Sequence, residues 1–533
     1  MTRLRSLALL GAAAAVAAGV AVPLAHGESA RPQGALTDTR VAGVDVDTAT
    51  IPQLQRLMSS GRLSSVALTR FYLGRIERLN PLLHAVIATS PTAQADARAA
   101  DRARARGDRR PLLGIPVLVK DNVDTTGLPT TAGSLALRGS TPPDAFIITR
   151  LRAAGAFVIG KANLSEWANY RGNQSSSGWS AVGGQTNNPY ALDRNPCGSS
   201  SGSAAGVAAD LATVAIGTET DGSIVCPSAA NGVVGVKPTL GLASRTGIVP
   251  ISAQQDTAGP ITRNVTDAAV VLGALTGVDP DDPATAAQPG HVRTDYTGSL
   301  DPGALRGARI GVWRAGIEGI SPETDAVFDA TVARLKRLGA VVVDPADIDL
   351  GDAGDNENIA LQYEFKHDIA AYLARTGARY PKTLADLIAF NRANADRELR
   401  WFGQETFEAA QARGPLTDPA YRQARASATA TARKAIDGVL ARYRLDAVIA
   451  PTNSPAWTTD LVNGDHFLLS SSSPAAISGY PSVNVPAGYS HGLPLGVSLI
   501  GGRWSEARLL ALAYGWERAT GVRTKPTYPR DVR

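Results

Sequence analysis

Ile115-Pro116-Val117-Leu118-Val119-Lys120-Asp121-Asn122 is an apolar run of strand length that stops abruptly at a cation, a carboxylate and an amide. A run without polar alternation reads as a short strand inside a buried sheet. Phe157-Val158-Ile159, closing at Gly160-Lys161, repeats the pattern, and residues 146–154 between the two have helical spacing. Leu211–Ile216 is a third buried strand, led in by a short alanine-packed helix over 203–210. Strands separated by helices predict an α/β layered fold around a mostly buried sheet.

Outward from these runs the alternation continues. Residues 64–79 have the spacing of a helix closed by Asn80-Pro81, and residues 93–106 form a solvated helix. Thr266 is placed to cap a helix running to Gly277. The Pro-, Asp- and Gly-rich stretch 277–307 is the best candidate for a boundary or insertion. Arg309–Trp313 is a strand, followed by a helix with Ser321 as N-cap, Pro322 at its first position and Gly339 as its stop, then the strand Ala340–Val343. Residues 355–443 read as largely helical, and 447–449, 483–485 and 496–500 as further strands. No internal repeat is present.

The chain has 533 residues, of which 44% are hydrophobic and 53 are glycine, a composition of ordinary globular proteins with many tight turns. Charges of both signs are interspersed, and no basic stripe carries interleaved aromatics, so no nucleic-acid partner is expected. Arg3 and Arg5, the apolar stretch Leu7 to Val22, and Ala25-His26-Gly27 have the layout of a signal peptide (residues 1–27) cleaved near Gly27. Its apolar core falls short of the about 20 residues of a membrane span; an uncleaved anchor is the alternative. Removing it lowers the net charge from +5 to +3. No later segment is apolar for long enough to span a bilayer, so the mature protein is expected to be secreted or extracytoplasmic and soluble. Cys197 and Cys226 fit neither a disulfide scaffold nor a zinc site. They read as two small buried thiols, with a bridge open to an exported protein. No cluster has metal-ligand spacing, so neither metal nor cofactor is expected.

Both cysteines sit within or just beyond serine-bearing loops, Cys197-Gly198-Ser199-Ser200-Ser201-Gly202-Ser203 and Gly217-Thr218-Glu219-Thr220-Asp221-Gly222-Ser223-Ile224. Serine is a weak nucleophile until a base takes its proton. Lys120 is either a solvated turn residue or a buried amine, whose pKa desolvation lowers from about 10.4 towards neutrality. Only the buried, neutral amine can act as a base. Gly198-Ser199-Ser200-Ser201-Gly202 also fits the Gly-x-Ser-x-Gly nucleophile elbow, with Ser200 as nucleophile. That elbow follows a strand, whereas residues 186–197 read as loop, and none of His291, His367, His466 and His491 stands in a compelling context. In the second loop, the backbone N–H groups of Thr220, Asp221, Gly222 and Ser223 would form an oxyanion hole if the turn folds as a nest. The alternative is a plain strand-to-strand turn.

These residues resemble the amidase signature enzymes over about residues 45–520. Gly114 to Asp121 is similar to that family's lysine segment, Ser199 stands at the cis-serine of its Gly-Gly-Ser-Ser-Gly-Gly motif, and Ser223 at its nucleophile. Gly160-Lys161-Ala162-Asn163, Gly235-Val236-Lys237-Pro238-Thr239 and Asp256-Thr257-Ala258-Gly259-Pro260 match further motifs, and Pro451-Thr452 and Gly479-Tyr480-Pro481 match more loosely. The resemblance implies a single large α/β domain, a mixed central sheet covered by helices, over 45–525, with an extension at 28–44 and a tail at 526–533. It also implies a cis peptide bond between Gly198 and Ser199. In the implied triad Lys120 deprotonates Ser199, Ser199 takes the proton of Ser223, and Ser223 attacks an amide carbonyl.

Two departures from the family pattern stand out. Cys197, Ser201 and Ser203 occupy or adjoin glycine places, and Asp221 replaces the first glycine before the nucleophile. These variants look like those of peptide amidases, which release ammonia from C-terminally amidated peptides. The substrate expected is therefore a peptide or small-molecule amide, with small aryl or aliphatic carboxamides as the alternative. The glutaminase subunit of a tRNA-dependent amidotransferase shares the triad but works with cytoplasmic partner subunits, against the leader. A non-catalytic binding protein on the same scaffold would not need the complete set of Lys120, Ser199 and Ser223. Residues 350–475 are expected to supply much of the pocket.

Overall fold

A computed structural model describes residues 36–532. The leader expected over 1–27 lies outside the described residues. The central sheet has eleven strands. In chain order they are β1 (Val86–Thr89), β2 (Pro116–Lys120), β3 (Phe157–Ala162), β4 (Val214–Glu219), β5 (Val234–Lys237), β6 (Thr257–Thr262), β7 (Arg309–Val312), β8 (Val341–Val343), β9 (Ala447–Pro451), β10 (Ser482–Ser490) and β11 (Leu493–Ile500). Their spatial order is β8-β7-β9-β11-β10-β5-β6-β4-β2-β3-β1. β4, β2 and β3 run parallel, as do β8, β7 and β9, and the strands between pair antiparallel. The expected mixed α/β sheet is present as one domain. Both halves are apolar within, one core built on β2–β4 and another on β7–β11.

The helices that matter for the site and its surroundings are α1 (Ile51–Ser59), α2 (Ser65–Leu83), α3 (Ala93–Ala105), α4 (Phe146–Ala153), α5 (Ser201–Ala208), α6 (Val225–Ala230), α7 (Val265–Leu275), α8 (Pro322–Arg337), α9 (Ala353–Ala374) and α10 (Pro419–Tyr443). α8 starts as read, with Ser321 accepting from Thr324 N–H. α7 does not. Its cap is Asn264, whose side chain accepts from Asp267 N–H at 2.8 Å, so Thr266 lies inside the first turn. α2 runs through Pro81, because burial of Leu79 and Leu83 carries it past a single lost N–H, and it ends at left-handed His84.

One strand reading, one strand absent from the patterning and one boundary reading need correction. β4 is displaced C-terminally from the expected 211–216. Its polar end, Thr218 and Glu219, pairs with Ala258 and Thr257 of β6, which apolar patterning could not show. β6 contains Gly259 and Pro260, residues that argue against an interior strand, yet it sits between β4 and β5. The stretch 277–307 is not a boundary. Asp279 and Asp282 accept from Ser244 and Arg245, and Gln288 donates to the carbonyls of Gly241 and Leu242, which packs it onto the domain. Among the described residues no helix is long and apolar enough to cross a membrane.

Candidate active site

β2 and β4 are parallel neighbours, so their last residues, Lys120 and Glu219, emerge at the same edge of the sheet. Lys120 is fully buried, and its Nζ lies 2.7 Å from Ser199 Oγ, 2.8 Å from Thr218 Oγ1 and 3.1 Å from the Thr218 carbonyl. Burial pulls its pKa down to about 7, against the opposing pull of Asp256 and Glu219. An uncharged amine has two hydrogens and one lone pair. Thr218 takes both hydrogens, which leaves the lone pair for the Ser199 hydroxyl. Asn122 Nδ2 donates to the same Thr218 hydroxyl at 3.0 Å and holds it in place. The solvated-turn reading of Lys120 is excluded.

Thr218 escaped the sequence reading. The available signal was a threonine at the end of a buried strand, a polar group that must find partners.

Ser199 is fully buried and follows a cis Gly198–Ser199 peptide bond. A Cβ at residue 198 would run into Ser165 Oγ and displace that hydroxyl from the Gly178 N–H it accepts, which favours glycine there. Ser200 is engaged in bracing. Its hydroxyl donates to the Thr218 carbonyl at 3.0 Å, and its N–H donates to the Ser223 carbonyl at 3.2 Å. That leaves the elbow reading of Ser200 without a free nucleophile. The serines at glycine places are likewise structural: Ser201 and Ser203 donate to the carbonyls of Cys197 and Ile216.

Ser223 is 8% exposed and lines a cavity of about 400 Å³ with Gly198, Thr220, Asp221 and Gly222. Gly222 has φ +77°, and a Cβ there would come 3.0 Å from Ser472 Oγ. The turn is clamped by Glu219, whose Oε2 accepts from the N–H groups of Ile224 and Val225 at 2.7 and 3.0 Å. In contrast, the N–H groups of Thr220, Asp221, Gly222 and Ser223 have no acceptor among the described residues. Four unengaged donors in one cavity-lining turn can receive an anionic oxygen.

Cys197 and Cys226 form a disulfide, with Cα atoms 6.0 Å apart, which corrects the reading of two thiols. It ties the loop before Ser199 to α6, which follows Ser223. Carboxyls surround the turn. Desolvation raises Asp221, which accepts from the Ser472 hydroxyl. Burial and the repulsion of Asp221 push Glu357 up to about 8. Gln255 Nε2 donates both to Glu357 and, at 3.0 Å, to the Thr220 carbonyl, linking α9 to the turn. The motif lysines lie elsewhere. Lys161 faces Asp121 at 3.6 Å, and Lys237 donates to the carbonyls of Ala475 and Tyr480, so both brace motifs rather than reach the cavity.

Leu361, Trp457, Asp465, Phe467 and Ser472 line the same cavity, as expected for 350–475. Phe467 packs edge-on against Trp457 at 5.4 Å, while Phe467 and its neighbour Leu468 remain 42% and 59% exposed. Asp465 accepts from Trp457 Nε1 and from Ser177 N–H, which fixes this segment beside the serine loops.

A family profile for amidases matches residues 67–510. This chain belongs to the amidase signature family. It is 40% identical to a probable amidase of Arabidopsis thaliana over 496 residues, covering 91% of this chain and 92% of that protein. The native peptide amidase of Stenotrophomonas maltophilia is 50% identical, with a TM-score of 0.85, over 90% of this chain and 98% of that one. A peptide amidase complexed with the competitive inhibitor chymostatin is also 50% identical, with a TM-score of 0.86, over 90% of this chain and 99% of that one. The amidase is thus a hydrolase, and a purely binding role on this scaffold is set aside.

Proposed function

We propose that this amidase removes ammonia from C-terminally amidated peptides outside the cytoplasm, using Lys120, Ser199 and Ser223. The observation that carries the chemistry is the buried Lys120 amine, 2.7 Å from Ser199 Oγ and with a pKa of about 7. Neutral Lys120 takes the Ser199 proton, Ser199 takes that of Ser223, and Ser223 Oγ attacks the carboxamide carbon. The N–H groups of Thr220, Asp221, Gly222 and Ser223 stabilise the oxyanion. The proton returns along the relay to the departing nitrogen, ammonia leaves, and water enters by the same path to hydrolyse the acyl-enzyme.

The peptide substrate is supported by the 50% identity to peptide amidases and by the aromatic cavity wall with its apolar rim. Export is supported by the basic, apolar and small-residue layout of 1–27 and by a disulfide, a bond that persists in oxidising compartments. Ammonia release from peptide amides, benzamide, acetamide and glutamine tests the substrate class. Peptide amides should be turned over fastest; turnover confined to glutamine or simple carboxamides refutes the proposal. N-terminal sequencing of the protein recovered outside the cytoplasm should begin just after Gly27, and an intact Met1 in a cytoplasmic fraction would refute export.

A further inference from the structure

A second cavity lies apart from the one that holds Ser223. It measures about 840 Å³, within the range of small-molecule sites, and shares no lining residue with the serine cavity. Its walls come from α1, α3, α4, α7, the loops that lead into β2 and β3, and residues 294–297 after α7. It therefore lies at the N-terminal ends of the parallel strands whose C-terminal ends present Lys120. The five residues of β2 put about 16 Å between the two ends.

Five arginines line it: Arg56, Arg104, Arg109, Arg110 and Arg150. Arg110 pairs with Asp108, but the other four have no salt bridge among the described residues. Arg104 is only 7% exposed, and its Nε and that of Arg150 are buried without a hydrogen-bond partner. Asp295, the single acidic residue on the wall, is engaged by Thr297 through both N–H and hydroxyl. Asp101 and Asp108 offset part of the charge on Arg104, whose Nη1 and Nη2 donate to Ser59, Gln55 and the Leu113 carbonyl, and Arg109 Nη1 donates to the carbonyls of Arg104 and Asp108. The side chains of Arg56 and Arg150 and the buried Arg104 Nε are left unengaged, and an anion would satisfy them and relieve the repulsion among the cations. Ile51, Pro52, Pro111, Val270 and Ala274 give the wall an apolar stretch, next to the polar Gln55, Ser59, Thr294 and Thr297.

We infer that this cavity is a second, non-catalytic binding site for a small organic anion, an apolar body bearing one phosphate or carboxylate group. The arginines take the head group and the wall between α1 and α7 takes the body. Phosphate and carboxylate share this chemistry, and guanidinium groups recognise both.

Calorimetric titration of the full chain with octyl phosphate and with octanoate tests the assignment, with octyltrimethylammonium and inorganic phosphate as controls. At least one octyl anion should bind saturably at one per chain, and the octyl cation should not. Binding of octyl phosphate alone assigns the head group to phosphate esters; binding of octanoate alone assigns it to carboxylates. Arg56→Gln with Arg150→Gln, at positions that make no side-chain hydrogen bond in the fold, should weaken binding at least tenfold and leave peptide-amide turnover unchanged. The assignment falls if neither octyl anion binds or if the cation binds equally well. It also falls if inorganic phosphate binds as tightly as the octyl anions, if the double variant binds as tightly as the parent, or if blocking Ser223 with a fluorophosphonate abolishes binding.

Discussion

Thr218 holds Lys120 twice, through its hydroxyl at 2.8 Å and its carbonyl at 3.1 Å from Nζ. The two contacts orient the amine so that its lone pair meets Ser199. Thr218→Val keeps the shape and the carbonyl but removes one acceptor. It should lower kcat about 10- to 100-fold with little change in KM, the scale of a misdirected general base. An unchanged kcat would show that the hydroxyl does not orient the base.

The pH dependence follows from the same amine. Lys120 must be uncharged to act, so kcat/KM should rise with pH and level off above about 7. Its pKa is depressed in the folded chain, so between about 7 and 10.5 the unfolded chain binds more protons and stability from this group increases with pH. At neutral pH the buried amine is still destabilising. Lys120→Met should abolish turnover and raise stability by a few kcal/mol, roughly, at pH 7, read as an increase in Tm. A folded variant with full turnover would remove Lys120 from the mechanism.

Ser223 should be the residue that reacts. A fluorophosphonate probe should label it, and labelling should vanish in Ser223→Ala; label found on Ser200 by peptide mapping would restore the elbow. Hydroxylamine should divert part of the product to a hydroxamate, as an acyl-enzyme requires.

The Cys197–Cys226 bond closes a loop across a sequence separation of 29 residues. On the chain-entropy account its loss costs about 3.5 kcal/mol. Cys226→Ser, or reduction of the parent, should lower Tm accordingly and reduce kcat by loosening the Ser199 loop against α6. Equal melting with and without reductant would contradict this.

Phe467 lines the serine cavity and is 42% exposed, with the exposed Leu468 next to it in the chain. Phe467→Ser should raise KM for peptide amides with apolar C-terminal residues about tenfold, from the lost burial of one large side chain. Turnover of acetamide should be unaffected. An equal effect on both substrates would place Phe467 in the chemistry rather than in recognition.

Sequence patterning located the strand that carries Lys120, the loops of Ser199 and Ser223, and the alternation of strands and helices, since each is encoded within a few neighbouring residues. It failed where burial and polarity coincide. β4 was displaced because Thr218 and Glu219 are polar inside the sheet, and β6 was unread because Gly259 and Pro260 look like a turn. The helix start differs because Asn264, two residues upstream of Thr266, caps the Asp267 amide and so begins the helix earlier.

The amino-acid order alone determined which groups are available: Lys120 after an apolar strand, two serines beside glycines, and two cysteines in or next to the same loops. Only the tertiary structure decided their states. Parallel pairing of β2 with β4 takes the lysine out of water and beside Ser199 and Thr218, and a pKa is set by that surrounding rather than by sequence neighbours. The same holds for the disulfide and for the arginines around the second cavity. Each depends on distances between residues far apart in the chain, which local pattern does not carry.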